Sequence, residues 1–109
     1  MNCGQIFCIY VYYVDRPGEY LYEWDELKRQ ETLSARGVDF ADMAIFDWSR
    51  AITITDDRFE YGEVRFVSMG TIRERLHVCA WCWRGDAVRI ISLRKANQNE
   101  LGKFQAVYR

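Results

Sequence analysis

The sequence predicts an α+β fold: two N-terminal helices, a mainly antiparallel sheet of four to five strands and one C-terminal helix. Three observations carry this expectation. Two helix-like stretches, each opened by an aspartate, come early; four strand-like stretches then follow in succession; and Asn97 stands three residues before Glu100 near the end. Helices and strands segregated in this way argue α+β.

The elements follow in order. Ile6–Val14 is apolar enough to pair as a strand, and Arg16-Pro17-Gly18 ends it with turn chemistry. Residues 1–18 read either as an edge strand or as a stretch upstream of the true start, and residues 19–109 as the domain proper. Tyr20–Trp24 is a short aromatic strand. Asp25 can cap a helix running to Ser34 or Ala35, with Glu26 favoured in the first turn by the helix dipole. Gly37 suits the left-handed residue that ends it. Asp39 can cap a second, shorter helix from Phe40 to Phe46, with Phe40, Met43, Ala44 and Phe46 inward. Strands are expected at Ala51–Thr55, Glu63–Met69, Leu76–Trp83 and Ala87–Leu93. The last two form a hairpin about Arg84-Gly85-Asp86. Asn97 and Glu100 make a capping-box start for a terminal helix ending near Phe104.

At 109 residues the chain suffices for one domain with a self-standing core. Its longest uncharged apolar run, Ile6 to Val14, is half of a bilayer span, so no transmembrane helix is expected. No Lys or Arg precedes that run and no small-residue cleavage site follows, which argues against a secretory signal and for the cytoplasm. Cys79 and Cys82 form a C-x-x-C inside an apolar strand-like stretch. Positions i and i+3 of a strand face opposite ways, so these are expected to be buried thiols rather than a zinc or redox pair.

The net charge of −1 hides a division: residues 1–60 carry 12 acids against 6 bases, and residues 61–109 carry 4 against 9. Twelve of the 15 bases are arginine, whose planar fork of donors matches phosphate. An Arg-rich C-terminal half can present a local phosphate site without making the whole surface basic.

The run Tyr22-Glu23-Trp24-Asp25-Glu26-x-Lys28 resembles the opening of the BrnT family of bacterial toxins. The resemblance continues through Gly37-Val38-Asp39-Phe40 and through Asp57-Arg58-x-x-Tyr61-Gly62-Glu63-x-Arg65-Phe66. It is closest at Arg84-Gly85-Asp86-Ala87-Val88-Arg89-Ile90-Ile91-Ser92-Leu93-Arg94-Lys95-Ala96, and spans about residues 20–105. Family members usually read Lys-His-Gly where this chain has Ala35-Arg36-Gly37, and Asn where it has Thr32. The resemblance implies a toxin of a type II toxin–antitoxin pair, related to RelE-like ribonucleases. It would cut mRNA without a metal or other cofactor, block translation, and be silenced by a BrnA-like antitoxin. Promoter DNA would be contacted only through the antitoxin complex. A chain lacking the family His also fits a binding module of the same fold without turnover.

Metal-free RNA cleavage needs a base for the 2′-hydroxyl, fixed positive charge for the phosphorane, and help for the departing 5′-oxygen. Tyr61, Glu63 and Arg65, spaced i, i+2, i+4, share one face if that stretch is extended. Glu63 is then the candidate base, Arg65 and Arg94 the phosphate donors and Tyr61 an auxiliary. Arg89, Lys95, Lys28 and Arg58 are candidate substrate-binding residues. Arg89 interrupts an apolar strand, so its charge must reach solvent, a partner or a phosphate. Arg89 and Arg94 have opposite strand parity, so one face holds both only if the strand bulges or ends between them. His77, the single histidine, is expected to pack against aromatics. Trp81 and Trp83 are read as core, with base stacking open to an exposed one.

Overall fold

The computed structural model describes residues 9–13, 20–58, 60 and 62–108. Strand β1 (Ile9–Tyr13) precedes β2 (Leu21–Asp25) and helix α1 (Glu26–Arg36). Two 3₁₀ segments, Phe40–Ile45 and Trp48–Arg50, lead into β3 (Ile52–Asp56), β4 (Arg65–Ile72), β5 (Arg75–Arg84) and β6 (Ala87–Lys95), and helix α2 (Gln98–Tyr108) closes the chain. The strands form one sheet in the order β1-β2-β6-β5-β4-β3. Every pairing is antiparallel except β2 with β6, so the sheet is mixed. Among the described residues no helix is long and apolar enough to cross a membrane.

Capping fixes α1. The Asp25 side chain accepts from the backbone N–H groups of Leu27 and Lys28, and Gly37 ends the helix at φ 68° with its N–H on the Leu33 carbonyl. The second helix expected after Asp39 is instead a six-residue 3₁₀ segment. Its apolar residues explain the correction. Phe40, Met43 and Phe46 recur every three residues and are all buried, a repeat that matches three residues per turn. Strand β4 also begins later than expected and runs through Gly70, so Glu63 precedes the strand. Helix α2 continues past Phe104 to Tyr108, whose hydroxyl donates to the Arg50 carbonyl at 2.6 Å.

The sheet has two unequal faces. One carries Tyr22, Trp24, Ile72, Cys79, Trp81, Val88 and Ile90 under the segment holding Phe40, Met43 and Phe46. Ser68 is fully buried there, and its hydroxyl accepts from the Trp81 indole at 2.8 Å and pairs with Thr53 at 2.7 Å. The opposite face has a smaller core, where Leu76, Val78 and Ala96 meet Phe104 of α2. Helix α2 therefore covers one end of that second face only.

A bulge decides what stands on the second face. Ala80 lies opposite Ser92 but Trp81 lies opposite Ile90, which leaves Ile91 as an extra residue in β6. Side chains alternate across a strand, so one inserted residue reverses the parity of everything beyond it. Arg89 and Arg94 consequently lie on the same face, the condition that their opposite sequence parity demanded.

Buried Glu26 ties β2 to α1. It accepts from the Trp24 indole at 3.1 Å, from Arg29 at 2.7 and 2.6 Å and from Gln30 at 3.1 Å. The Arg29 guanidinium holds its pKa down at about 2. The same guanidinium reaches Asp39 at 3.0 Å. Removing the charge by Glu26→Gln leaves Arg29 half-paired in a mostly buried place. It is expected to cost about 2–3 kcal/mol in a denaturant titration, with the m-value unchanged.

Candidate functional site

On the second face the register places Asp56 opposite Arg65, Cys82 opposite Arg89, and Arg89 opposite Glu23, while Phe66 beside Arg65 meets Trp81. Asp56, Arg65, Cys82, Arg89 and Glu23 thus form one row across five strands. Arg65 and Arg89 stand either side of Cys82, two strand spacings or about 10 Å apart at the backbone. Arg84 follows two positions after Cys82 on the same face.

Glu63 joins this group from the loop before β4. Its carboxylate accepts from Arg65 Nε at 3.1 Å and from Arg84 at 3.4 Å. The Arg65 hydrogen bond is the main reason its pKa falls below the usual carboxylate value. Glu63 is therefore ionised at neutral pH, in the right protonation state to take a proton. The three side chains are partly exposed, so the cluster is open to solvent. Arg89 is paired with Glu23 at 3.2 Å and is largely buried. Tyr61, the expected third member of the i, i+2, i+4 set, lies outside the described residues.

A groove of about 560 Å³ continues along this face toward α2. Val67, Ala80 and Ser92 line it, with Arg58 toward one side and Arg94 and Lys103 toward the helix. Arg58 is paired with Asp56 at 2.8 Å while its side chain stays mostly exposed. Arg94 makes a two-pronged pair with Glu100, at 2.9 and 2.7 Å. Glu100 also accepts from the Asn97 N–H at 2.9 Å, and Asn97 accepts from the Glu100 N–H at 2.8 Å, which completes the capping box. A second cleft of about 300 Å³ shares Ser92 and Arg94 with the groove and adds Arg36 and Thr32 from α1. Arg36, at the family His position, thus adjoins Arg94.

The remaining candidates scatter. Lys28 is exposed on α1. Lys95 lies opposite His77 on the other face. His77 is buried, with Nδ1 at 2.7 Å from the Arg75 carbonyl, and burial lowers its pKa. Cys79 and Cys82 are free buried thiols three residues apart in β5, and so face opposite ways. Trp81 is buried, whereas Trp83 is half exposed in an edge-on contact with it. No group of three or more His, Cys, Asp or Glu side chains suited to a metal occurs among the described residues.

Arg84 and Glu23 carry as much of the cluster as the residues singled out from sequence. Arg84 was legible from its two-residue step after Cys82. The partnership of Glu23 with Arg89 was not, because it depends on the parallel β2–β6 register.

Glu100 and Glu26 both titrate near 2 when folded, against an ordinary 4.5. The main cause is Arg94 for Glu100 and Arg29 for Glu26. A depressed carboxyl pKa stabilises the folded state in full above the unfolded value, and this contribution fades as pH falls toward the folded value. Melting temperature is therefore expected to stay level from neutral pH to about 5 and to fall steeply between about 4.5 and 2. Replacing both residues by Gln should flatten that acid limb, as followed by circular dichroism.

A mixed sheet with arginines and a carboxylate gathered on one face can bind and stabilise a phosphodiester. The comparison with known families gives that chemistry its particular form. A family model described as "Ribonuclease toxin, BrnT, of type II toxin-antitoxin system" matches residues 24–100, and the chain belongs to that family. Neither the curated proteins nor the solved structures include a match.

Proposed function

We propose that the chain is a metal-independent endoribonuclease toxin whose reaction centre is the Arg65–Glu63–Arg84–Arg89 cluster. The observation that carries this reading is the pairing of two guanidinium groups, Arg65 and Arg84, with one ionised carboxylate, Glu63, with Arg89 in the same row on that sheet face. The scissile phosphate lies between Arg65 and Arg89. Its charge competes with Glu63 for Arg65 and Arg84, so Glu63 regains basicity as substrate enters. The 2′-hydroxyl passes its proton to Glu63, O2′ bonds to phosphorus and the bond to O5′ breaks. The products are a 2′,3′-cyclic phosphate and a 5′-hydroxyl end. Fixed guanidinium groups stabilise the added charge of the phosphorane. Tyr61 is the candidate donor to the departing oxygen.

Arg94 sits on the same face but about 16 Å from Arg65 at the backbone, counting four residues along and two strands across. It serves a neighbouring phosphate, with Lys103, rather than the reacting one. Arg58 and Arg36 extend the track at either end. The substrate is mRNA, its cleavage stops translation in the cytoplasm, and a BrnA-like antitoxin covers this face. Only the antitoxin complex would contact promoter DNA. Residues 1–18 stand outside the toxin domain in this reading.

A second reading has its own support. Arg65, Arg89 and Arg94 each have a carboxylate partner, and Arg36 replaces the family His. This favours a module that binds RNA or antitoxin without turning over. Incubation of purified protein with end-labelled single-stranded RNA in EDTA separates the two. Cleavage with cyclic-phosphate ends is expected to persist in EDTA. RNA binding should weaken with salt at a log–log slope of about −2 for three phosphate contacts. Binding without cleavage would select the second reading, and cleavage only with added divalent metal would defeat the mechanism.

A further inference from the structure

We propose, resting on the reading of this sheet face as an RNA site, that the cleft between α1 and β6 is a second phosphate subsite. It holds an RNA phosphate remote from the one that reacts. The cleft has a volume of about 300 Å³ and takes its walls from two elements. Thr32 and Arg36 stand four residues apart on α1, so they share a side of that helix. Ser92 and Arg94 stand two apart in β6, so they share a face of the sheet. Two guanidinium groups and two hydroxyls, all able to donate, therefore border one small space. The carboxylate at its wall is Glu31.

Arg36 supplies the uncommitted charge. Among the described residues it is the one arginine with no carboxylate, carbonyl or aromatic ring as partner. It is exposed on the last turn of α1. A cation there offsets the helix dipole and still leaves its five N–H donors open to a ligand. Their planar fork matches a pair of phosphate oxygens. Arg94 is placed differently. Glu100 grips it at 2.9 and 2.7 Å, which fixes it at the boundary that cleft and groove share. A strand of RNA lying along the groove past Arg94 reaches Arg36 next. Because Arg94 already stands about 16 Å from Arg65 at the backbone, one phosphodiester cannot occupy the reaction centre and this cleft together. The same donors suit a backbone phosphodiester and a terminal phosphomonoester. Continuity with the arginines of the sheet face favours such a strand over an acidic peptide.

Fluorescence anisotropy of the full chain with a 2′-O-methyl RNA strand is the test, because that strand keeps every phosphate and lacks the nucleophile. Arg36→Ala should weaken binding about tenfold at low salt. It should also make the log–log salt slope shallower by about 0.7, the share of one single-strand phosphate. Arg36→Lys should keep the slope and lose part of the affinity, since an ammonium retains the charge without the fork. Thr32→Val combined with Ser92→Ala should weaken binding at an unchanged slope, because hydroxyls carry no charge. Glu31→Gln should tighten binding about twofold. Adding a terminal phosphate to the strand identifies the source, and either source agrees with the proposal. A terminal phosphate in the cleft tightens binding by the parent and not by Arg36→Ala, whereas a backbone phosphate there makes the addition indifferent. Arg36→Ala matching the parent in affinity and slope would overturn the proposal. So would weaker binding by Arg36→Ala at the parent's slope. A loss confined to a Glu-rich peptide would overturn it in favour of a protein partner. A parent that cuts no RNA defeats the nuclease reading alone, and a parent that binds none defeats both.

Discussion

Arg65→Ala is expected to lower RNA cleavage at least about 100-fold and to relieve growth arrest on induction, with the far-ultraviolet spectrum unchanged. Arg65 is partly exposed and its loss opens no cavity in either core, so the fold should hold. Arg94→Ala should act differently. It removes charge from a neighbouring phosphate position, so a loss of about tenfold, mostly in KM, is expected. It also leaves Glu100 without its guanidinium, so its melting temperature should fall where that of Arg65→Ala does not. Measuring kcat/KM and thermal stability for both variants and for the pair checks the assignment. A double variant as toxic as the parent would remove both residues from the mechanism.

Gly70→Val is expected to be the most destabilising single change outside the cluster. Gly70 is buried in β4, and a Cβ there would stand 2.5 Å from the Phe46 ring. Phe46 is itself pinned by Trp48, ring centroids 4.7 Å apart, so it has little room to withdraw. Overpacking of this kind costs about 1–3 kcal/mol or more. For a domain of this size that lowers the melting temperature by roughly 5–20 °C. Gly70→Ala should show a milder form of the same effect, and Phe46→Leu should recover part of it when combined with Gly70→Ala. A Gly70→Val chain that melts like the parent would show that the ring moves aside freely.

What the sequence made legible was whatever depends on neighbours in the chain. Asp25 and Gly37 bound the first helix because capping involves only adjacent residues. Asn97 with Glu100 opened the last helix for the same reason. The hairpin around Gly85 was equally local. The 3₁₀ segment was misread as a helix although its three-residue repeat was present, because caps alone do not distinguish the two. The site was legible as residue types and not as an arrangement. Glu63 and Arg65 do meet, but from a loop and a strand rather than along one extended segment. Whether Arg89 and Arg94 share a side turned on a single extra residue, Ile91, which becomes visible only when β6 is laid against β5. Likewise Glu23 reaches Arg89 through a parallel pairing between strands more than sixty residues apart, which no local pattern encodes.

Glu100 has two duties, closing the first turn of α2 and gripping Arg94. Helix nucleation and cation placement are therefore a single event in this chain. Any change that frays that turn also lets the guanidinium wander, and any ligand that draws the guanidinium away loosens the turn. The amide protons at the start of α2 consequently report on occupancy of the channel beside them, and their exchange rates give a readout that requires no catalysis.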